Sequence, residues 1–238
     1  MRRLADTPEL LDGPLDDPVA LAANLRDLRR INRLLGGTRL SRQALGALVG
    51  QRTEPLTLLD VGTGAADIPA SLVTRPLPDG PRLTVTAIDS RAEVLAAAIA
   101  GRADLASLDG LHLALGDGRA LQDPDRSHDV VHASLVLHHL EPDEAIRFLG
   151  EMSRVARLGV IVNDLARSRL AWMGAWLLGH VLTGNRLTRH DAPLSVRRAY
   201  SAREMRSLMT EAGLRPIATF GGLLGHRYAI AAVPDADR

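Results

Sequence analysis

Residues able to do chemistry recur at one kind of place in this sequence, the carboxyl end of a short apolar run. The run 56–61 carries Asp60 and leads into Gly62-Thr63-Gly64. Runs 83–88 and 111–115 lead into Asp89-Ser90 and Gly116-Asp117-Gly118. The run 129–134 ends at Ser134 and continues as Leu-Val-Leu-His138-His139-Leu, and 158–162 leads into Asn163-Asp164. A carboxylate beside a glycine turn suits a ligand with cationic and hydroxyl groups. The missing Cβ atoms let backbone approach it closely, and the acid accepts its hydrogen bonds. Histidine adds proton transfer, because its ordinary pKa lies nearest neutrality. His138, His139 and His190 are the candidates for that role, with Asp191 next to His190 able to raise its pKa. His132 lies inside an apolar run and reads as structural.

Composition removes several alternatives. Basic and acidic residues nearly balance over 238 residues, for a net charge of +1, and they are interspersed, so nothing predicts a nucleic-acid footprint. Every basic residue is arginine, which excludes lysine bases and Schiff-base chemistry. Without cysteine there is no disulfide, thiolate nucleophile or thiolate metal site, and no metal is expected. The stretch MRRLADTPELL has no long apolar core, so no signal peptide is expected and a cytoplasmic location is the default.

The elements that must hold these residues alternate strand and helix, the pattern of a doubly wound α/β sheet. Runs 56–61, 83–88, 111–115, 129–134 and 158–162 are strands, and helices follow Gly64, Arg91 and Pro142. The last helix, capped by Ser201, runs to Gly213, and strands 215–220 and 227–233 form a closing hairpin before a polar tail at 235–238. Ahead of the first strand, Asp17-Pro18 starts a helix with leucines at helical spacing that ends at Gly36-Gly37. A second helix covers 41–49 with Ser41 as its cap. This predicts an N-terminal helical unit over residues 1–50 and a ligand-binding domain over 51–238. The N-terminal helices lie either at the edge of the cleft or in a purely structural layer.

The series acid, glycine turn, acid, acid and histidine pair, in order from 56 to 164, resembles the class I S-adenosylmethionine (SAM) methyltransferases, and in particular the small-molecule branch that includes quinone-biosynthesis enzymes. The resemblance implies a single Rossmann-like seven-stranded sheet with strand 7 antiparallel, and SAM as cofactor. It implies that Asp60, Gly62, Thr63 and Gly64 hold the amino acid end of SAM, Asp89 and Ser90 the ribose, and Asp117 and Gly118 the adenine, with Ser134 at the fourth strand tip. Asp60, and Asp67 at the place of the third dinucleotide glycine, argue against a nicotinamide oxidoreductase, although Asp89 would serve either cofactor.

Residues 165–200 are too long for an ordinary connection and read as an inserted helical lid. Leu170 to Leu182 is apolar with helical period but too short to span a membrane. Trp172, Trp176 and His180 fall one turn apart on one face. That stripe is a core face, a lid over an aromatic substrate with Asp164 nearby, or a shallow membrane contact. Thr188 to Pro193 reads as a turn fixed by Pro193. The expected activity is methyl transfer to a hydroxyl or activated ring carbon of an aromatic, quinone-like or polyketide small molecule, with no nucleic-acid partner and no stable membrane insertion. A homodimer, a catalytically silent SAM-binding protein and a nicotinamide oxidoreductase stay open.

Overall fold

The computed structural model describes residues 1–5, 7–181, 183–222 and 224–235. Leu182 at the end of the apolar helix, Leu223 in the hairpin loop and tail residues 236–238 therefore lie outside the described residues. The described strands are β1 (Leu56–Val61), β2 (Leu83–Asp89), β3 (Leu111–Leu115), β4 (His128–Ser134), β5 (Ala156–Leu165), β6 (Leu214–Gly221) and β7 (Arg227–Pro234). They form one sheet in the order β3-β2-β1-β4-β5-β7-β6. Neighbours from β3 to β5 pair in parallel, whereas β7 is antiparallel to both β5 and β6. The strand order reverses direction between β1 and β4, and in open α/β sheets ligands bind at the carboxyl ends around such a switch point.

Both faces of the sheet's central strands are buried, which explains why these read as nearly continuous apolar runs. Leu58, Val85, Val130, Ile161 and Ala229 pack on one side in a core shared with α1 (Pro18–Leu34), α2 (Gly37–Val49), α3 (Asp67–Thr74) and α4 (Ala92–Gly101). Leu59, Val131, Val160 and Ile230 face the opposite side, against α5 (Pro142–Val155) and α8 (Ala202–Glu211). The remaining helices, α6 (Arg169–Val181) and α7 (Arg186–Arg198), pack on each other.

Helix starts follow local chemistry. Asp17 accepts hydrogen bonds from the amides of Val19 and Ala20, with Pro18 at the first helical position of α1. Glu141 and Glu144 form a capping box at α5, and Ser201 and Glu204 form one at α8. Two expectations are corrected. Helix α2 starts at Gly37, with Gly36 in a left-handed conformation (φ 79°), so Ser41 is a fully buried residue of its second turn and not its cap. The side of α2 lies on β5, β6 and β7, where Leu40 and Leu45 are each worth about 1.5–3 kcal/mol of burial. The stretch from Thr188 to Pro193 is helical, because α7 runs through Pro193. The Asn185 cap and the tertiary hydrogen bonds that Asp191 accepts from Leu10 and Leu11, and that Arg198 donates to Asp12 and His139, offset the cost of that proline.

Candidate active site

The turn between β1 and α3 is built on two left-handed glycines, Gly62 (φ 72°) and Gly64 (φ 54°). The amides of Gly62 and Thr63 both donate to the Ile88 carbonyl at the end of β2 (2.9 Å each), tying the turn to the neighbouring strand. Asp89 then spans two helix starts. One carboxylate oxygen accepts the Gly64 amide (3.0 Å) and the other the Arg91 amide (3.1 Å). Burial raises the Asp89 pKa, and those two amides pull against the rise. Each Asp89 oxygen keeps acceptor capacity for a hydroxyl.

Thr63, Gly64 and Asp89 stand behind Gly62 and Ser90 and do not themselves line the neighbouring cavity, but two features of the turn are left open. The Thr63 hydroxyl is buried with no hydrogen-bond partner, and a Cβ added to Gly64 would meet nothing within 4 Å. Beside the turn lies a cavity of about 360 Å³, lined among others by Gly62, Ser90, Asp117, Gly118, Phe148 and His139. Asp117 pairs with Arg119 at 3.0 Å, which holds its carboxyl below the ordinary range.

Asp60 and Ser134 do not line the cavity; they belong to a buried polar network beside it. His132 is fully buried, and its Nδ1 lies 2.5 Å from Asp60 Oδ1 while its Nε2 lies 2.7 Å from Ser41 Oγ. The Asn163 side-chain amide donates to Ser41 Oγ (2.7 Å) and to the Gly37 carbonyl (2.8 Å). Arg227 donates from Nε to Asn163 Oδ1, from Nη1 to Asn32 Oδ1 (2.6 Å each) and from Nη2 to Ser134 Oγ (2.7 Å). Asn32 in turn donates to Asp67 (3.2 Å). Burial lowers the Arg227 pKa to about 10 against the fields of Asp164 and Asp67. The structural reading of His132 thus becomes specific: it anchors Asp60, the acid at the glycine turn, to helix α2.

The far wall of the cavity comes from the N-terminus. A 3₁₀ turn, Leu10–Asp12, is held by Asp191, whose carboxylate accepts the amides of Leu10 (2.8 Å) and Leu11 (3.0 Å). Asp12 Oδ1 lies 2.7 Å from His139 Nδ1, and Asp12 Oδ2 accepts from Arg198 (2.8 Å), which also donates to the His139 carbonyl (2.6 Å). Glu9 is buried beside them, and burial raises its carboxyl pKa to about 7 although His139 pulls it down. Sequence reasoning missed Glu9, Asp12 and Arg198. Two acids three apart around Leu10-Leu11 were the only signal, and acids at that spacing are common.

Strand β4 ends at Ser134, and Leu135 beyond it has φ 59°, a left-handed conformation rare for a bulky side chain, where the chain turns into a 3₁₀ turn, Leu137–His139. This turn brings the two histidine rings together, with centroids 4.2 Å apart and planes tilted by 35°. His138 is buried, with Nδ1 2.7 Å from Asp164 Oδ1. Burial would push the Asp164 pKa up, but the His138 contact outweighs it and holds the carboxyl below the ordinary range. Asp164 therefore meets His138 and does not open on the cavity.

The other predicted residues lie elsewhere. The His190 side chain is half exposed, with Nδ1 2.8 Å from Asp191, so the expected pairing is present but away from the cavity wall. Trp172, Trp176 and His180 do not line the cavity either. Trp176 is 47% exposed, and its ring stacks on His180 at 4.4 Å. A second cavity, about 830 Å³, gathers Arg26, Arg29, Arg30, Arg33, Arg39, Arg42, Arg75 and Arg102 around Asp67. A net charge near zero conceals such one-signed clustering.

The sheet order, the antiparallel β7 and the acid-lined glycine turn define the class I methyltransferase fold. Residues 58–159 match the family described as "Methyltransferase domain". No curated protein matches the chain. Among solved structures, a SAM-dependent methyltransferase from Aquifex aeolicus is similar at 21% identity and a TM-score of 0.63, covering 91% of this chain and 97% of that one. Magnesium protoporphyrin IX methyltransferase from Synechocystis PCC 6803, solved with bound SAH, is similar at 16% identity and a TM-score of 0.62, with 89% and 94% covered. At these identities the likeness is one of fold. Among the described residues, no helix is long and apolar enough to cross a membrane.

Proposed function

We propose that this chain is a SAM-dependent methyltransferase acting on a hydroxyl, or an activated ring carbon, of an aromatic or quinone-like small molecule. The observation that carries this reading is the Gly62–Gly64 turn, with its unpartnered buried Thr63 hydroxyl and with Asp89 at the neighbouring strand tip. That set fits a ligand with hydroxyls and a polar tail. Asp89 would accept the ribose hydroxyls, the Thr63 hydroxyl would meet the amino acid end, and Gly116–Gly118 would flank the base. Bound SAM supplies an activated methyl on a sulfonium.

The chain's own contribution is alignment and exclusion of water. A nucleophile held in line within near-attack distance gains most of the barrier reduction open to such a displacement. Phe148, Val136, Leu140 and Leu11 supply apolar wall around the polar groups. Of the three histidines considered for proton transfer, His139 alone lines the cavity, with Asp12 fixing its Nδ1. The acceptor hydroxyl would be served by this imidazole or by what the imidazole holds.

Calorimetric titration tests the cofactor assignment. Wild type is expected to bind SAM, and Asp89→Ala to bind it tenfold to a hundredfold more weakly, since hydrogen bonds to a charged group are worth about 1.5–3 kcal/mol. Unchanged affinity in a folded variant refutes the ribose assignment. A panel of phenols and hydroxyquinones read by mass spectrometry tests the reaction, and absence of both SAM binding and methylated product refutes the function.

A further inference from the structure

The group formed by Glu9, His138 and His139 is built more carefully than a proton-transferring histidine requires. Each imidazole has its Nδ1 against a carboxylate, His138 on Asp164 and His139 on Asp12, both at 2.7 Å. An ionised carboxylate only accepts, so each Nδ1 carries a proton, and in the neutral imidazole that leaves the Nε2 lone pair for a ligand. Both Nε2 atoms then converge on one residue. His138 Nε2 lies 3.8 Å from Glu9 Oε1 and His139 Nε2 lies 3.9 Å from Glu9 Oε2. Neither distance is a hydrogen bond. Glu9 is only 5% exposed, and its Oε1 has no hydrogen-bond partner. One ligand atom from each of the three residues falls within 4.8 Å of the other two.

We infer that Glu9, His138 and His139 form a binding site for a divalent transition-metal ion of the zinc type, at the acceptor end of the cavity. Two imidazoles and one carboxylate, with a position left over, make the ligand set of an open zinc site. Bonds of about 2.0–2.1 Å in a tetrahedron place ligand atoms about 3.4 Å apart, so the 3.8 and 3.9 Å to the two Glu9 oxygens, and the remaining separations within 4.8 Å, need contractions of about half an ångström to about 1.4 Å. Carboxylate–histidine–metal chains are the usual support for such ligands, because the carboxylate fixes tautomer and ring direction. Here both chains are already present.

Charge supports the same occupant. Glu9, Asp12, Asp164 and Asp191 bring four carboxyl groups to this corner, of which Asp164 also feels Arg227 and Asp191 accepts the amides of Leu10 and Leu11. The opposing cation closest to Glu9 is Arg198, 4.0 Å from Glu9 Oε1, and its shorter bonds go to Asp12 and the His139 carbonyl. A divalent ion would offset much of the surplus negative charge and occupy the unpartnered Oε1. Of the three ligands His139 lines the cavity, beside Leu11 and Asp12, while Glu9 and His138 are buried behind it, so the ion would meet the bound acceptor from the His139 side. Only this last role rests on the proposed methyltransferase reading.

Co²⁺ titration of chelator-treated full-length protein tests the site without SAM or substrate. One equivalent is expected to bind, with the visible absorption of low-coordinate cobalt, and to be displaced by Zn²⁺. Glu9→Gln and His139→Gln, each checked for native circular dichroism, should weaken the ion at least tenfold, while His180→Gln at an exposed histidine should not. Absence of a stoichiometric cobalt spectrum in wild type overturns the inference, whether or not the variants fold. So does binding that survives both substitutions, or that is lost equally in His180→Gln. Because this readout involves no methyl transfer, a failed metal site and a failed methyltransferase reading are told apart.

Discussion

Arg227→Met takes the guanidinium out of the network behind the glycine turn and keeps most of the side-chain stem. Arg227 makes three hydrogen bonds of 2.6–2.7 Å, to Asn163, Asn32 and Ser134. The buried amide oxygens of Asn163 and Asn32 would lose the donor facing them, at about 1–3 kcal/mol each. Asp67 and Asp164 would lose a nearby cation. Against this stands relief of the cost of burying the charge, which already lowers the Arg227 pKa to about 10. Removing one member of a buried charged network costs about 3–5 kcal/mol. For a chain of this size that is roughly 6–20 °C in Tm. Thermal unfolding followed by circular dichroism measures it, and Arg227→Lys, which keeps charge but not the forked geometry, should fall in between. A methionine variant as stable as wild type would refute the claim that Arg227 holds the network, and with it the link from β7 through Asn163 and His132 to Asp60.

Other expectations concern the turn and the closing helix. Gly62→Ala should cost about 1–3 kcal/mol and weaken SAM binding, since its Cβ would sit 2.5 Å from Val136 Cγ2 at a left-handed position; urea unfolding and calorimetry read the two effects. Burial would raise the Glu204 pKa, but hydrogen bonds from Arg167 and Ser201 bring it down to about 2. Its folded pKa thus lies below the unfolded value, so its contribution is present above about pH 4.5 and is lost as pH falls toward 2. Glu204→Gln keeps the cap but not the Arg167 pair. The difference in urea midpoint between wild type and this variant should therefore shrink from pH 6 to pH 3, and a constant difference would contradict the assignment.

The central parallel strands were legible because they are buried on both faces and must be apolar, and every parallel strand because a polar tip marks its end. The run 111–115 is β3 to the residue. Helix α2 was misread at its start because Gly36-Gly37 is a good terminator for α1, and nothing local says that the chain re-enters a helix at once. Pro193 was misread for the opposite reason: a local rule was overridden by tertiary contacts around Asp191. At the site, glycines and acids that touch the ligand turn were visible as motif residues. Their supports were not, since His132 meets Asp60 from 72 residues away and Arg227 meets Asn32 from 195. Hydrogen bonds of that span leave no periodicity. The aromatic stripe shows the limit of periodicity itself: it gives a face of α6, while the burial of that face depends on what packs there.

The N-terminal 3₁₀ turn has a consequence for the order in which the molecule is completed. Asp12 meets His139 across 127 residues and Arg198 across 186. On the ribosome, strands β1 to β4 can associate as they appear, whereas Glu9 and Asp12 must wait until α7 has been made before Asp191 and Arg198 can fasten them. The N-terminal wall of the cavity is therefore a late product of synthesis. A chain stalled before α7 would have its glycine turn and Asp89 but no closed wall opposite them.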